Sequence, residues 1–385
     1  MLKRGGGNFV SSMRHKNKNE VSMRKIVLLL IVIILFKVII FAQIFVKNPE
    51  KPFNKNAGRV VKLKEISRIR DSAPEIIFKA PYDLKVGQVG NVYFCDNFNL
   101  YRFDDEGKFV FKIIREGQGP GEATGKTTYL LMNDEIIVLS ESPPKIMRFD
   151  LKGNYKSEKR FELMHGFKFI GMIKDKVYGF SGDVPSDGYA KEGFIDFPTN
   201  LYEISNNFDN INKVYSFPIN YYVYKGFAWW PRATLDYAKM DGKYLFVTHT
   251  ASYQIIKYDI EKRRIENIFK RKYRRVKIKK QYTNKPKAGG ISAPPLKFYE
   301  DISKLLIHKD ELWVFTSTKD KKNRRLIDVY NLEGKYTDNF YLEYPEKISP
   351  RNFAYDSILL VGEYIYSIDE HADGDLSIGR YKILY

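Results

Sequence analysis

A short phrase returns six times between Asn91 and the C-terminus: a turn residue, a hydrophobic residue, an aromatic or large aliphatic residue, then two or three more strand formers. Its second position falls at Tyr93, Ile137, Tyr178, Phe246, Trp313 and Tyr366, with Gly90, Asp134, Asp175, Gly242, Asp310 or Gly362 ahead of it. A unit of this size cannot bury its apolar face alone, so it must belong to a closed or stacked array. Six such units of short strands predict an all-β chain, a six-bladed β-propeller. Aromatic residues at 15% suit pleated, half-buried surfaces better than helices. Successive phrases lie 44, 41, 68, 67 and 53 residues apart, so the two long intervals carry insertions.

The turns inside the units repeat as well. Leu100 to Phe103 leads into Asp104, Asp105, Glu106 and Gly107; Ile146 to Phe149 into Asp150, Leu151, Lys152 and Gly153; Ile327 to Tyr330 into Asn331, Leu332, Glu333 and Gly334. These are hairpin turns in which glycine supplies a positive φ. The sixth unit holds only about three strands, which predicts that the segment Arg59 to Arg70 completes it and removes an open sheet edge.

Before the repeats the chain changes character. Ile26 to Val46 is apolar except for Lys37 and Gln43 and follows seven basic residues. At about 1.5 Å per residue, such a helix reaches roughly the 30 Å of a bilayer core. Two readings remain open, an uncleaved membrane anchor and a signal peptide cleaved after Ala42. Both place the N-terminus inside and the large C-terminal part outside the cytoplasm of a bacterial cell, inner-membrane anchored or secreted to the periplasm. The expected organisation is a basic tail over 1–25, an anchor or signal over 26–46, a linker over 47–58 and the propeller over 59–385.

Charge and cysteine content narrow the partners. There are 65 Lys plus Arg against 46 Asp plus Glu, a net charge of +19. Such a balance favours acidic partners, but no recognised nucleic-acid module accompanies it and no nucleic acid is expected. Cys95 is the single cysteine, so neither an internal disulfide nor a Cys-based metal site can form. No cofactor is expected.

The run Ile114, Arg115, Glu116, Gly117, Gln118, Gly119, Pro120, Gly121, Glu122 resembles the Arg-x-Gly-x-Gly-Pro-Gly-Glu signature of the bacterial six-bladed β-propeller proteins, relatives of the NHL-repeat propellers that are abundant in Bacteroidetes. With the six phrases, the likeness extends over roughly 59–385. It implies an exported propeller, often lipid-anchored. The chain lacks the membrane-proximal cysteine of that pattern.

Three interruptions of the repeat are candidate binding sites. Arg115, Gly117, Gly119, Gly121 and Glu122 can form a concave nest of backbone N–H groups for an anion, or a tight crossover between blades. The insertion from Tyr221 to Leu235 carries Trp229, Trp230 and Arg232 among several tyrosines, either a platform for a sugar or peptide or a cover for the blade ends. The insertion from Lys270 to Lys287 holds ten Lys or Arg in 18 residues, fit for lipid headgroups or an acidic polymer, or simply a solvated strand. The acidic loop Asp369 to Asp375 reads better as a hairpin turn than as a calcium loop, because Arg380 stands where a bidentate Glu is required.

Linear catalytic motifs are absent: there is no His-Glu-x-x-His and no Gly-x-Ser-x-Gly. The favoured expectation is a membrane-tethered or exported propeller that binds a protein, peptide or glycan. The alternative is a lactonase-like hydrolase or lyase whose metal sits in the central channel on residues from several blades.

Overall fold

The computed structural model describes residues 25, 27–30, 45–70, 76, 78–161, 166–182, 192–224, 227–231, 235–240, 243–278, 287–288, 291–292, 297–345, 348–350 and 357–385. The chain divides into two units, residues 1–46 and 47–385. In the first, Lys25 and residues 27–30 are helical; most of the expected anchor lies outside the described residues. Among the described residues no helix is long and apolar enough to cross a membrane.

In the second unit each of the six phrases forms the second strand of an antiparallel sheet, and the sheets follow one another as six blades. Blade 1 is Pro81–Val86, Val92–Asp96, Asn99–Phe103 and Phe109–Lys112. Blade 2 is Thr127–Leu131, Glu135–Glu141, Pro144–Asp150 and Tyr155–Arg160; blade 3 is Lys168–Ile173, Lys176–Gly182, Gly193–Ser205 and Ile211–Tyr224, extended by Phe227–Pro231. Blade 4 is Asp236–Met240, Tyr244–Thr248, Ile255–Asp259 and Arg264–Arg271; blade 5 is Ile302–His308, Glu311–Lys319, Arg325–Asn331 and Tyr336–Glu343.

Packing explains why the second strands stood out. A blade is covered on both faces by its neighbours, so its second strand is apolar on both sides rather than alternating. Phe94 packs with Tyr366, Ile368 and Ile378 of blade 6. Its neighbours Tyr93 and Cys95 point the other way, toward Tyr129, Ile136 and Met147 of blade 2. Similar clusters fill the seams between blades 2 and 3, 3 and 4, and 5 and 6. Between blades 4 and 5 the Phe269 ring stacks on Tyr330 at 6.2 Å.

The ring closes where expected. Blade 6 contains Ile358–Val361, Tyr364–His371 and Leu376–Leu384, and its outer strand is Arg59–Ile69, antiparallel to Leu376–Leu384 from Lys62↔Leu384 to Ile69↔Ile378. Val61 and Leu63 join the core between blades 5 and 6, and Ile69 joins the core between blades 6 and 1. Arg68 ties this closing strand to the rest of blade 6: its guanidinium donates to Asp369 Oδ2 at 3.0 Å and to the Tyr381 hydroxyl at 2.6 Å. Asp369 is therefore committed to closure rather than to a cation. Residues of the expected linker also pack: Asn54 N donates to Thr337 O and Gly58 N to Asn339 O, both at 3.0 Å.

The turns between third and fourth strands recur with one geometry. Gly107, Gly153 and Gly334 have φ of +86°, +82° and +87°. In each turn an Asp or Asn side chain accepts backbone N–H groups, as Asp104 does from Glu106 and Lys108. A β-carbon at Gly153 would lie 2.5 Å from Phe111, one at Gly334 2.2 Å from Phe269, and one at Gly107 3.3 Å from Ile69. Each turn thus presses on the outer strand of the preceding blade. That Ile69 takes the same place as Phe111 and Phe269 identifies Arg59–Ile69 as a true fourth strand.

Candidate binding face

Strand direction sorts the loops onto two ends. Links from a fourth strand to the next first strand emerge at the end where first strands begin; the turns between third and fourth strands lie at the other. The glycine-rich run joins blades 1 and 2, the aromatic insertion joins blades 3 and 4, and the basic insertion joins blades 4 and 5. All three interruptions therefore belong to one face.

Blade 3 projects from that face. Its second strand ends at Gly182 opposite Thr199, whereas its third strand begins at Gly193. The surplus residues reach about 20 Å beyond the sheet. They pair with Ile219 to Val223, which in turn pair with Phe227–Pro231. Phe194 lies 5.2 Å from Tyr222 and Phe197 5.3 Å from Tyr221, ring to ring. Trp229 and Trp230 belong to the third strand of this extension; Arg232 lies outside the described residues. At its base His249 Nδ1 sits 2.7 Å from Pro218 O, and burial lowers the imidazole's basicity.

The glycine-rich loop is bound to the chain's own carboxylates. Arg115 and Glu116 pair in parallel with Glu122 and Ala123. Gly119 N donates to Glu122 Oε2 at 2.9 Å, and Gly121 N to Glu158 Oε2 at 3.1 Å. Lys145 Nζ, buried, donates at 2.8 Å to both Gly119 O and Glu158 Oε2. Two of the N–H groups of the expected nest thus already face anions, while Arg115 is exposed. A side chain at Gly117 would place its β-carbon 2.0 Å from Glu122 Oε2. This geometry fixes the crossover.

The basic insertion divides between interior and surface. Arg271 is buried against blade 5, where its Nε and Nη2 donate to Asp328 Oδ2 at 2.8 and 2.6 Å. Tyr253 and Tyr336 donate their hydroxyls to the same carboxylate at 2.7 and 2.8 Å. Arg275 Nε donates to Asp301 Oδ1 at 3.0 Å, and burial pushes the Asp301 carboxyl above its usual range. Lys272, Arg274 and Lys277 remain exposed. Arg271 is thus a buried seam between blades, and Arg275, itself exposed, pairs with a buried carboxylate, which the alternation of basic residues did not reveal.

The same face holds a pocket of about 130 Å³ between the first strands of blades 1, 2 and 3. Its walls include Tyr82, Asp83, Lys126, Leu139, Glu141, Phe167 and Lys168. Asp83 has φ +52° at an irregularity of the first strand, a conformation that costs an ordinary residue roughly 1–2 kcal/mol. The bend turns its carboxylate to the Thr128 hydroxyl at 3.1 Å and to the Lys85 ammonium. Tyr82 Oη is 3.0 Å from Asn97 O and 3.1 Å from Thr127 O, and burial raises its pKa. Behind Tyr82 the Cys95 thiol is pushed up to about 12, first by burial and then by the Asp83 charge. None of the pocket residues was a candidate in the sequence: they come from three blades and share no linear motif.

Nearer the axis, Asp236 accepts from Lys304 Nζ at 2.8 Å. Among the described residues no group of three or more His, Cys, Asp or Glu is placed to share a metal ion. The channel arrangement required by the lactonase-like alternative is thus not found among them.

The sequence matches the model of the DUF5128 family, described as a 6-bladed beta-propeller, over residues 85–342. Compared with curated proteins it has no significant match. Two solved structures are similar in fold. One is a Bacteroides fragilis protein named for its inferred export, with 14% identity, a TM-score of 0.52 and coverage of 89% of this chain and 99% of that one. The other is a Bacteroides vulgatus member of the DUF4221 family, with 10% identity, a TM-score of 0.53 and coverage of 86% and 99%.

Proposed function

Because the chain belongs to the six-bladed beta-propeller family DUF5128, we propose that it is a non-enzymatic binding module, held outside the cytoplasm, that engages a protein, peptide or glycan through one face. The observation that carries this reading is the gathering of every long interruption of the repeat, together with the pocket, at the ends where first strands begin. Rigid scaffolds with function on loops at one face are the general pattern of such folds. Placement outside the cytoplasm rests on the apolar run Ile26 to Val46 and the seven basic residues before it. It agrees with the name of the Bacteroides fragilis protein.

The test is quantitative isolation of full-length protein with its partners from its own envelope. Glu141→Lys with Lys168→Glu reverses charges on the proposed face; Glu106→Lys with Lys152→Glu does so in the turns of the opposite face. The reading requires that the first pair lose the retained partner and the second keep it. Retention by the first pair, or loss by the second alone, would overturn it.

A further inference from the structure

We propose that the loop of residues 49–53, on the outer rim of blade 5, docks on a membrane surface rich in anionic lipid headgroups. The proposal goes beyond the binding-face reading and rests only on the part of it that brings the chain to a membrane. Asn48 clasps the third turn of blade 5, donating from its side chain to Gly334 O at 2.9 Å and accepting from Tyr336 N at 2.8 Å. Asn54 N then donates to Thr337 O at 3.0 Å. The chain thus leaves and rejoins blade 5 at the neighbouring residues Tyr336 and Thr337, so residues 49–53 must project between them. Pro49 and Pro52 each fix a φ, which stiffens the loop. It ends on Phe53, 63% exposed, whose ring centre lies 4.4 Å from Lys335 Nζ.

Charge selects the partner. Glu50 is already paired with Lys272 at 3.5 Å, and Glu333 offsets Lys335 in the same turn. Lys47, Lys51 and Lys55 are exposed, and among the described residues none of the three has an ion-pair partner. Three uncompensated cations therefore surround an exposed aromatic ring. That combination suits a bilayer surface, where a ring sits at headgroup level and lysines meet lipid phosphates. Reach agrees with it. The apolar run ends at Val46, five residues before Lys51, and five residues span at most about 18 Å. A bilayer entered by that run is within reach of the loop, which favours lipid over a dissolved acidic polymer.

The test reconstitutes the full-length chain in nanodiscs of phosphatidylcholine alone or mixed with an equal amount of phosphatidylglycerol. A fluorophore is placed on Asn56→Cys, beside the loop, or on Lys152→Cys, in the matching turn of blade 2 across the ring; both positions are exposed. Cys95 is buried and stays unlabelled. Lipid spin-labelled at the headgroup should quench the Asn56→Cys label in mixed discs, leave the Lys152→Cys label bright, and quench neither in phosphatidylcholine discs. At about fivefold per lysine, the factor for roughly 1 kcal/mol at an anionic surface, Lys47→Gln with Lys51→Gln and Lys55→Gln should lower the docked-to-free ratio about hundredfold and remove the quenching. Phe53→Ser should weaken it. Equal quenching in both kinds of disc or at both sites, or quenching that survives the triple variant, would overturn docking while leaving the tether intact. Failure of the chain to enter either disc would overturn docking and tether together. The charge-reversal test of the binding face changes none of these residues, so either reading can fail without the other.

Discussion

The contact between a blade's third turn and the preceding blade can be isolated with two glycines. Gly334 and Gly374 have φ of +87° and +91°, and their N–H groups each close a turn at 3.0 Å, onto Asn331 O and His371 O. A β-carbon at Gly374 would meet nothing within 4 Å, whereas one at Gly334 would lie 2.2 Å from the buried Phe269 ring. Gly374→Ala therefore reports only the left-handed backbone cost, about 1–2 kcal/mol. Gly334→Ala adds overpacking, about 1–3 kcal/mol, because Phe269 is pinned by Tyr330 and cannot leave cheaply. Urea denaturation monitored by circular dichroism should give about 2–5 kcal/mol for Gly334→Ala, read as a shifted midpoint at constant slope. Phe269→Leu should recover part of the excess in a double-mutant cycle. Equal losses for the two alanine variants would refute the idea that these turns seal the seams.

Three further outcomes follow from the same structure. Arg271→Met leaves Asp328 buried opposite two tyrosines and should cost about 3–5 kcal/mol. Burial already raises the Asp328 pKa, so the folded state binds more protons than the unfolded one and stability falls as pH rises from about 3.9 toward the raised value. Losing Arg271 removes an opposing charge, and urea titrations should show the variant's deficit growing as pH rises above the ordinary aspartate pKa of about 3.9. Cys95, buried and with its thiol pushed up to about 12, should react with a disulfide reagent at neutral pH only after denaturation, as its thiolate fraction is about one in a hundred thousand; rapid native labelling would contradict the packing. A chain beginning at Arg59 should unfold in one transition, whereas one beginning at Asp71 exposes the Leu376–Leu384 edge and should associate on size exclusion.

Local signals were legible where the fold makes them local. Tyr93 and Phe246 stood out because second strands are covered on both faces, and Gly107, Gly153 and Gly334 because the third turn needs the same backbone each time. First strands were harder to read: Asp83, Asp236 and Lys304 interrupt their apolar pattern because they bond across blades near the axis. Arg271 and Asp328 are 57 residues apart, so the basic insertion looked like a surface stripe until its partner was placed. The glycine signature was visible, but not that Glu122 and Glu158 occupy its N–H groups. Tyr82, Lys126, Phe167 and Lys168 were not legible as a group, because they reach the pocket from three blades.

Site-directed photocrosslinking tests most directly whether binding belongs to one face. A benzophenone amino acid replaces Lys126, Glu141 or Phe194 on the interrupted face, and Glu106, Lys152 or Asn206 in the opposite turns, all exposed positions. The account predicts a shared adduct from the first three sites in the native envelope and none from the second three. Adducts confined to Glu106, Lys152 or Asn206 would contradict it.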